Sequence, residues 1–362
     1  MAKIQLKEIC SFSKGCQING DELLENGEYD YLNGGINPSG KWNEYNVSGN
    51  TVTISEGGNS SGYVNYMSNP FWCGAHCYYL YELKCDVKYL YYALKSQQDK
   101  IMKLRSGACM PNIKKSDIGK FEFEYSSDTN VQKQIAANLD KVTHTIDLCN
   151  TILEKLDLLV KSRFVEMFGD PVENPLQWDT KSLESACHSI VDCPHSTPSY
   201  TFEDTGYMCI RTSIVKKNAI LWDKIEYIPK DEYEQRIKRR KPQKGDIIYT
   251  REGAILGIAA IIDRECNVAL GQRSMLLSPD TEICLPEFIS NAMNFDSFFN
   301  RVTEGVSGSA SPHINVADIR AFKIMMPPLD LQQQFAAFVE QTNKSKFIAK
   351  KIAESVRSVK IL

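Results

Sequence analysis

The sequence predicts an α+β chain: two similar, mixed β-rich units separated by an antiparallel coiled coil of two long helices, with pseudo-twofold symmetry. Three observations predict it. A set of short strings occurs twice in the same order. Each copy opens with β-branched and aromatic runs set between Gly, Asn, Ser and Pro. Each copy closes on a heptad-spaced stretch.

The duplication comes first. Leu6–Cys10 resembles Leu183–Cys187, and Tyr29–Leu32 resembles Tyr207–Ile210. The stretch from Val52 through Gly58 and Gly62 resembles that from Ile247 through Gly253 and Gly257. Gly74–Cys77 resembles Gly271–Ser274. Ser106–Ile113 with Asp117, Ile118 and Phe121 is matched by Ser309–Ile314 with Asp318, Ile319 and Phe322. Val131-Gln132 through Ala137 is matched by Leu331-Gln332 through Ala337. One match would be chance, but six in one order are a duplicated domain, too long for a solenoid repeat.

Within each copy, Thr51–Ile54, Cys77–Tyr81, Gly245–Tyr249, Ile258–Ile262 and Ser274–Leu277 read as strands. Short helices are expected at Val87–Lys103 and Pro286–Arg301. Ile135, Leu139, Val142, Ile146, Cys149, Leu153, Leu156 and Val160 then step by four and three, which is a coiled-coil seam. From Val131 to Phe168 that helix would run about 57 Å, and Gly169-Asp170-Pro171 stops it. The terminal seam runs through Phe335, Phe338, Thr342, Ser345, Ala349, Ile352, Val356 and Val359. It is smaller and more polar, so the central helix is its expected partner. The division expected is 1–130, 131–170, 171–330 and 331–362.

Composition bounds the function. Hydrophobic residues are 43% and charged residues 24%, which excludes a disordered chain. With 42 Lys+Arg against 45 Asp+Glu the net charge is -3. A polybasic coat is excluded, and a local basic groove is not. No apolar run reaches the length of a membrane span, and the first residues lack a signal-peptide core. The expected location is cytoplasmic, with reduced cysteines and no membrane partner. Cys73, His76 and Cys77, and Cys187, His188, Cys193 and His195, lack paired zinc-ligand spacing, so no metal is expected. The five histidines form no nucleophile set.

The ordered, duplicated strings, with the helix starts Val131–Ala137 and Pro327–Ala337 and the helix end Phe164–Pro171, resemble the specificity (S) subunit of type I restriction-modification systems over essentially the whole chain. The resemblance implies that each β-rich unit is a target recognition domain reading one half of a bipartite DNA sequence. It implies an antiparallel coiled coil that sets the spacing between the halves. It also implies two modification (methyltransferase) subunits that carry S-adenosylmethionine and, in restricting complexes, ATP-driven restriction subunits. The chain itself would hold no cofactor and catalyse nothing alone. Consistent with that, it has no Asn-Pro-Pro-Tyr string, since Asn69-Pro-Phe-Trp72 is one proline short, and no phosphate-binding lysine loop. One departure is the first helix start, where Ser127–Asn130 replaces Pro-Pro. The alternative is a non-DNA coiled-coil adaptor with two β-rich binding modules.

Phosphate contacts need Lys or Arg, and base edges need donors such as Arg, Asn and Gln. Arg236, Lys238, Arg239, Arg240, Lys241 and Lys244 put six basic residues into nine, within a region of 18 basic and 22 acidic residues at 171–330. The competing reading is a solvated helix end paired with Asp231, Glu232 and Glu234. Arg211-Thr212-Ser213, Arg251, and Gln272-Arg273 follow strand-like runs and are base-contact candidates, against an internal Arg–Glu pair. His313 joins them by its place in the repeat. In the first unit the candidates are Asn33, Lys41, Asn43, Asn59, Ser60, His76, Arg105, Lys114 and Lys115.

Overall fold

A computed structural model describes residues 2–107, 111–304 and 312–360. The middle of the repeated string Ser106–Ile113, and Ser309 to Ser311 of its counterpart, lie outside the described residues. The chain divides into two compact units, 1–147 with 354–362 and 148–353. Both boundaries fall inside a long helix.

In the first unit Ser11–Lys14, Cys77–Tyr81, Thr51–Ser55 and Val64–Met67 form an antiparallel sheet in that order. Thr51–Ser55 is buried at every position, so its side chains are short, branched or apolar on both faces. Tyr29–Leu32 pairs antiparallel with Gly40–Trp42 and parallel with Phe71–Cys73. Ala2–Gln5 closes on Glu122–Tyr125. Leu6, Val52, Ile54, Val64, Leu80, Leu90 and Leu94 are among the residues of one core.

The second unit repeats this topology strand for strand among the described residues. Cys187–Asp192, Ser274–Pro279, Ile247–Thr250 and Ala259–Ile261 make the antiparallel sheet. Met208–Ile210 pairs antiparallel with Glu226–Tyr227 and parallel with Val268–Leu270. Thr180–Ser182 closes on Lys323–Met325. One addition is a small hairpin, Val215–Lys216 with Ala219–Ile220. The two expected short helices are each broken in two: Val87–Lys95 and Gln98–Met102, and Pro286–Met293 and Asp296–Thr303. At the first break the N–H groups of Ser96 and Gln97 bond Tyr92 and Leu94, which tightens and ends the turn.

Each long helix is fastened to its β-rich unit by a buried glutamine. In the central helix, Thr129–Phe168, the Gln132 amide oxygen accepts from Asp86 N–H at 2.8 Å and its nitrogen donates to Ser126 C=O at 2.7 Å. In the terminal helix, Leu329–Lys360, Gln332 accepts from Leu285 N–H at 2.9 Å and donates to Pro327 C=O at 2.8 Å. Gln132 is 1% exposed and Gln332 is 0% exposed. Each therefore joins a helix foot to the start of a short helix and to the preceding strand's exit. In both copies the glutamine N–H bonds the carbonyl four residues earlier, Gln132 to Asp128 and Gln332 to Pro328, and in the first copy the Asp128 carboxylate also accepts from Asn130 and Val131 N–H. That is how the first copy starts without Pro-Pro.

Further along the central helix, Asp140 holds Lys88 at 2.5 Å and the Tyr92 hydroxyl at 2.8 Å. Its far end belongs to the second unit. There Phe164 and Phe168 pack on Phe288 and on Phe335 of the terminal helix, with ring centroids 4.9 to 5.5 Å apart. Lys346 reaches Asp157 at 2.6 Å. Residues later in one helix thus meet residues earlier in the other, so this stretch pairs antiparallel. Gly169 ends the helix at φ +79°, and a Cβ there would lie 2.6 Å from Pro175.

Cys149 and Val160 are buried, and Ile135, Leu139, Val142, Ile146, Leu153 and Leu156 are half-buried. The terminal seam agrees with the expected one at Phe335, Phe338, Thr342, Ala349 and Val356 and departs from it at Ser345 and Ile352. Phe335, Val339, Thr342, Ala349 and Ala353 are buried, and Phe338, Lys346 and Val356 are half-buried. Ile352 is 45% exposed and Ser345 is exposed. At the two departures the helix turns the neighbouring Lys346 and Ala353 inward in place of Ser345 and Ile352. The Val359 side chain lies outside the described residues.

The eleven described cysteines are unpaired thiols. Burial pushes Cys10, Cys187, Cys209 and Cys284 up to about 12, so they stay protonated. Among the described residues no three His, Cys, Asp or Glu side chains converge as a metal site, and no helix is long and apolar enough to cross a membrane.

Gln332→Leu strips partners from the half-buried Leu285 N–H and the buried Pro327 C=O and should destabilise the fold by about 1–3 kcal/mol. Phe335→Ala empties a fully buried ring site and should cost about 3–5 kcal/mol. Urea unfolding followed by circular dichroism measures both. A Gln332→Leu chain as stable as wild type would show that the clamp is dispensable.

Candidate nucleic-acid interface

One corner recurs in both units and carries most of the candidate residues. In the first unit the strand Thr51–Ser55 runs into the loop 56–62. Glu56 N–H donates to His76 C=O at 2.9 Å, Ile113 N–H to Glu56 C=O at 2.9 Å, and Gly58 N–H to Pro111 C=O at 2.9 Å. Gly62 N–H returns to Ser55 C=O at 2.8 Å. In the second unit Arg251 N–H donates to Arg273 C=O, Ile314 N–H to Arg251 C=O and Gly253 N–H to Pro312 C=O, each at 2.9 Å. Gly257 N–H returns to Thr250 C=O at 2.7 Å. The paired glycines carry φ of 76° and 87° in the first loop and 84° and 75° in the second, values that glycine adopts without strain. These bonds use only backbone groups. Side chains at the corner are therefore free to differ, and they do.

The charges at the corner are inverted between the copies. Lys14 lies opposite Tyr78 in its sheet, and Asp192 lies opposite Met275 at the same register position. Lys14 forms an ion pair with Glu56. Asp192 forms one with Arg251, at 2.9 Å to Nε and 3.3 Å to Nη2. The same two places hold a cation and an anion in one unit, and an anion and a cation in the other. Glu56 also accepts from the Tyr78 hydroxyl at 3.0 Å and lies 3.7 Å from His76 Nδ1. Burial and that hydrogen bond push the Tyr78 phenol up, which keeps it a donor. Arg251 bonds Glu252 at 2.9 Å, and Asp192 lies 3.2 Å from His195 Nε2.

Further candidates gather at the same two corners. Asn33 accepts from His76 N–H and donates to Gln17, and the Ser60 hydroxyl donates to Gly34 C=O at 2.6 Å. Asn59 C=O accepts from Arg105 at 3.2 Å. Lys114 and Lys115 follow Ile113 and are exposed. In the second unit Gln272 donates to His195 C=O, and His313 bridges to Glu252. Arg211 follows the strand Met208–Ile210, as Asn33 follows Tyr29–Leu32. Arg211 pairs with Glu226 at 2.9 Å and covers the Tyr200 ring. Thr212 and Ser213 form the short turn after it. Lys41, paired with Asp30 at 3.4 Å, lies on the edge strand Gly40–Trp42, and Asn43 just beyond it is exposed; among the described residues neither side chain bonds to the corner.

The basic strip divides by direction. Arg236 is 7% exposed and bonds Glu232, Leu270 C=O and Ser196 C=O, so its guanidinium braces the unit internally. Arg240 faces Asp246 at 3.5 Å. Lys238, Arg239, Lys241 and Lys244 are exposed. Arg239 donates to Asp192 C=O at 3.4 Å, which makes the strip continuous with the second corner. Arg251 is 6% exposed and held by two carboxylates, the internal pairing weighed against base contact in the sequence. The sequence did not point to Lys14, Glu56, Gln17 or Asp192, and it singled out His195 only within a cysteine–histidine cluster; register-level alignment of the two copies brings them to the corner.

The model of the type I restriction modification DNA specificity domain matches residues 1–158 and again residues 175–357. A chain from Mycoplasma genitalium described as a type I specificity subunit is 30% identical over 191 residues, 52% of this chain and 50% of that one. Another, from Mycoplasma pneumoniae, is 36% identical over 155 residues, 42% of this chain and 41% of that one. The match thus spans about half the length of these two curated relatives. The crystal structure of a type I restriction-modification system S subunit from M. genitalium superposes with a TM-score of 0.70 at 20% identity. The match covers 99% of this chain and 93% of that one, and is a likeness of fold.

The two ion pairs have similarly buried carboxylates but differ in the burial of their cations, and so should the effects of breaking them. Arg251 and Asp192 side chains are 7% and 18% exposed, whereas Lys14 is 45% exposed. Asp192→Asn should destabilise the chain by about 1–3 kcal/mol, and Lys14→Met by less than about 1 kcal/mol. Equal shifts in denaturation midpoint would contradict this ordering.

Proposed function

This chain belongs to the type I restriction-modification DNA specificity family, and on that premise we propose that it is the DNA-reading subunit of a type I complex. Each β-rich unit reads one half of a bipartite duplex target, and the paired helices set the gap between the halves. The observation that carries this reading is the duplicated corner, continuous in the second unit with exposed Lys238, Arg239, Lys241 and Lys244. Two copies of one backbone frame bearing different side chains suit two different half-sites. A non-DNA adaptor has no use for a dense cationic strip at one of them.

The chain contributes binding and orientation only. Two methyltransferase subunits supply S-adenosylmethionine and the chemistry, and the complex works in the cytoplasm. Apolar side chains left exposed on the long helices, among them Leu148, Leu158, Leu159, Phe347 and Ile348, provide the surface on which those subunits pack. Restriction subunits join where the system cleaves.

Exposed lysines and arginines on phosphates release counterions, so they leave a signature in salt dependence. Lys238→Ala, Arg239→Ala and Lys241→Ala together, assembled with methyltransferase subunits, should weaken binding to specific and unrelated duplexes alike. The slope of log K against log salt should fall by roughly 0.9 per lost contact. Unchanged affinity and slope in a titration between low and moderate salt would discard the strip as a phosphate surface.

A further inference from the structure

The corner offers a way to separate the residue that reads from the residues that hold. Arg251 and Arg211 are both tied to carboxylates. Between their loops lies Arg273, which is exposed and, among the described residues, has no side-chain hydrogen bond or ion pair. Its backbone sits at φ +68°, a left-handed conformation that side-chain-bearing residues adopt at a penalty and keep where surrounding structure imposes it. The imposing structure is the frame: Arg273 C=O accepts from Arg251 N–H, and Arg251 is clamped by Asp192. A Cβ built on Gly253 would meet only Arg273 atoms within 4 Å, the nearest at 3.2 Å. The guanidinium thus lies against the open face of this glycine.

The first unit has a histidine at that place. His76 C=O accepts from Glu56 N–H as Arg273 C=O accepts from Arg251 N–H, and the His76 side chain is 61% exposed. The first loop is open here too: a Cβ on Gly57, the residue before Gly253's counterpart, would meet only His76 Nδ1, at 3.9 Å, and one on Gly58 itself would meet nothing within 4 Å.

Resting on the DNA-reading proposal above, we infer that Arg273 and His76 are the equivalent base-reading residues of the two half-sites. Arg273 takes a guanine through its O6 and N7 atoms, and His76 makes a single hydrogen bond to a purine. Arg251, Asp192, Glu56 and Lys14 are positioning residues that hold the loop beneath them. The chemistry supports the assignment of guanine. A planar fork with free donors matches the two acceptors of a guanine edge, and only guanine presents them side by side in the major groove. An arginine already chelated by carboxylates cannot offer that fork.

The test maps the methylated motif made in cells by the full chain with its methyltransferase subunits. The variants are Arg273→Gly, Arg273→Lys and His76→Ala. Glycine accepts φ +68° without strain, so Arg273→Gly should melt no lower than wild type while losing the contact. Discrimination at one guanine of one half-site should then fall about 5- to 150-fold, with the other half unchanged. Arg273→Lys should recover only part of it, and His76→Ala should relax one position of the opposite half. The inference is overturned if Arg273→Gly leaves the motif intact. It is also overturned if Arg273→Gly weakens all duplexes equally with a lowered salt slope, which is phosphate contact, or alters both halves. A wild-type complex with no bipartite motif would overturn the DNA-reading proposal itself, and this inference with it.

Discussion

A single buried amide holds each β-rich unit to its long helix. Gln132 and Gln332 are nearly or fully inaccessible, and each satisfies a backbone donor and a backbone acceptor on two different segments, Gln332 also reaching Ile283 C=O. Rotating the unit on its helix would break these bonds and leave a nearly inaccessible amide without its partners. The clamp therefore converts a helix and a β-sheet unit into one body within each half of the chain. Any reading of DNA by the loops inherits its direction from that clamp. The aromatic cluster of Phe164, Phe168, Phe288 and Phe335 adds apolar burial to the second unit, but it is the amide that carries direction.

Above this foundation the two copies separate frame from content. The loops at 56–62 and 251–257 are closed by backbone hydrogen bonds and by glycines in left-handed conformations. None of these depends on what the neighbouring side chains are. An ion pair can therefore reverse its sign, from Lys14–Glu56 to Asp192–Arg251, without moving the loop. Attraction between the two positions survives the exchange, while the side chain at the rim changes from histidine to arginine. A duplicated unit built this way can diverge in what it reads while keeping how it folds.

Much of this was legible in the sequence. The repeated strings located the glutamines, the glycine turns and the ends of the helices because each is a local signal with a fixed residue requirement. The heptad seam of the central helix was equally plain. The terminal seam was misphased at Ile352 because a pattern of apolar content cannot tell an outward isoleucine from an inward Ala353. The strand Cys187–Asp192 and the two-residue strands of the second unit were invisible, since they are recruited by neighbours and not by their own composition. Arg236 and Lys238 read alike in a basic run, yet one faces Glu232 inside and the other faces solvent. Ion pairs such as Arg251 with Asp192 join positions 59 residues apart, and no local pattern announces them. The left-handed backbone of Arg273 is likewise imposed by tertiary bonds.

The central claim is that two like units each read their own half-site while the paired helices govern the distance between the halves. Adding one heptad to the central helix and one to the terminal helix lengthens the pair by about 10.5 Å. Mapping the methylated motif of that variant, assembled with its methyltransferase subunits, tests the claim most directly. The account predicts the same bases in both halves with the gap widened by about three base pairs, at roughly 3.4 Å each. An unchanged gap, or altered bases in either half, would contradict it.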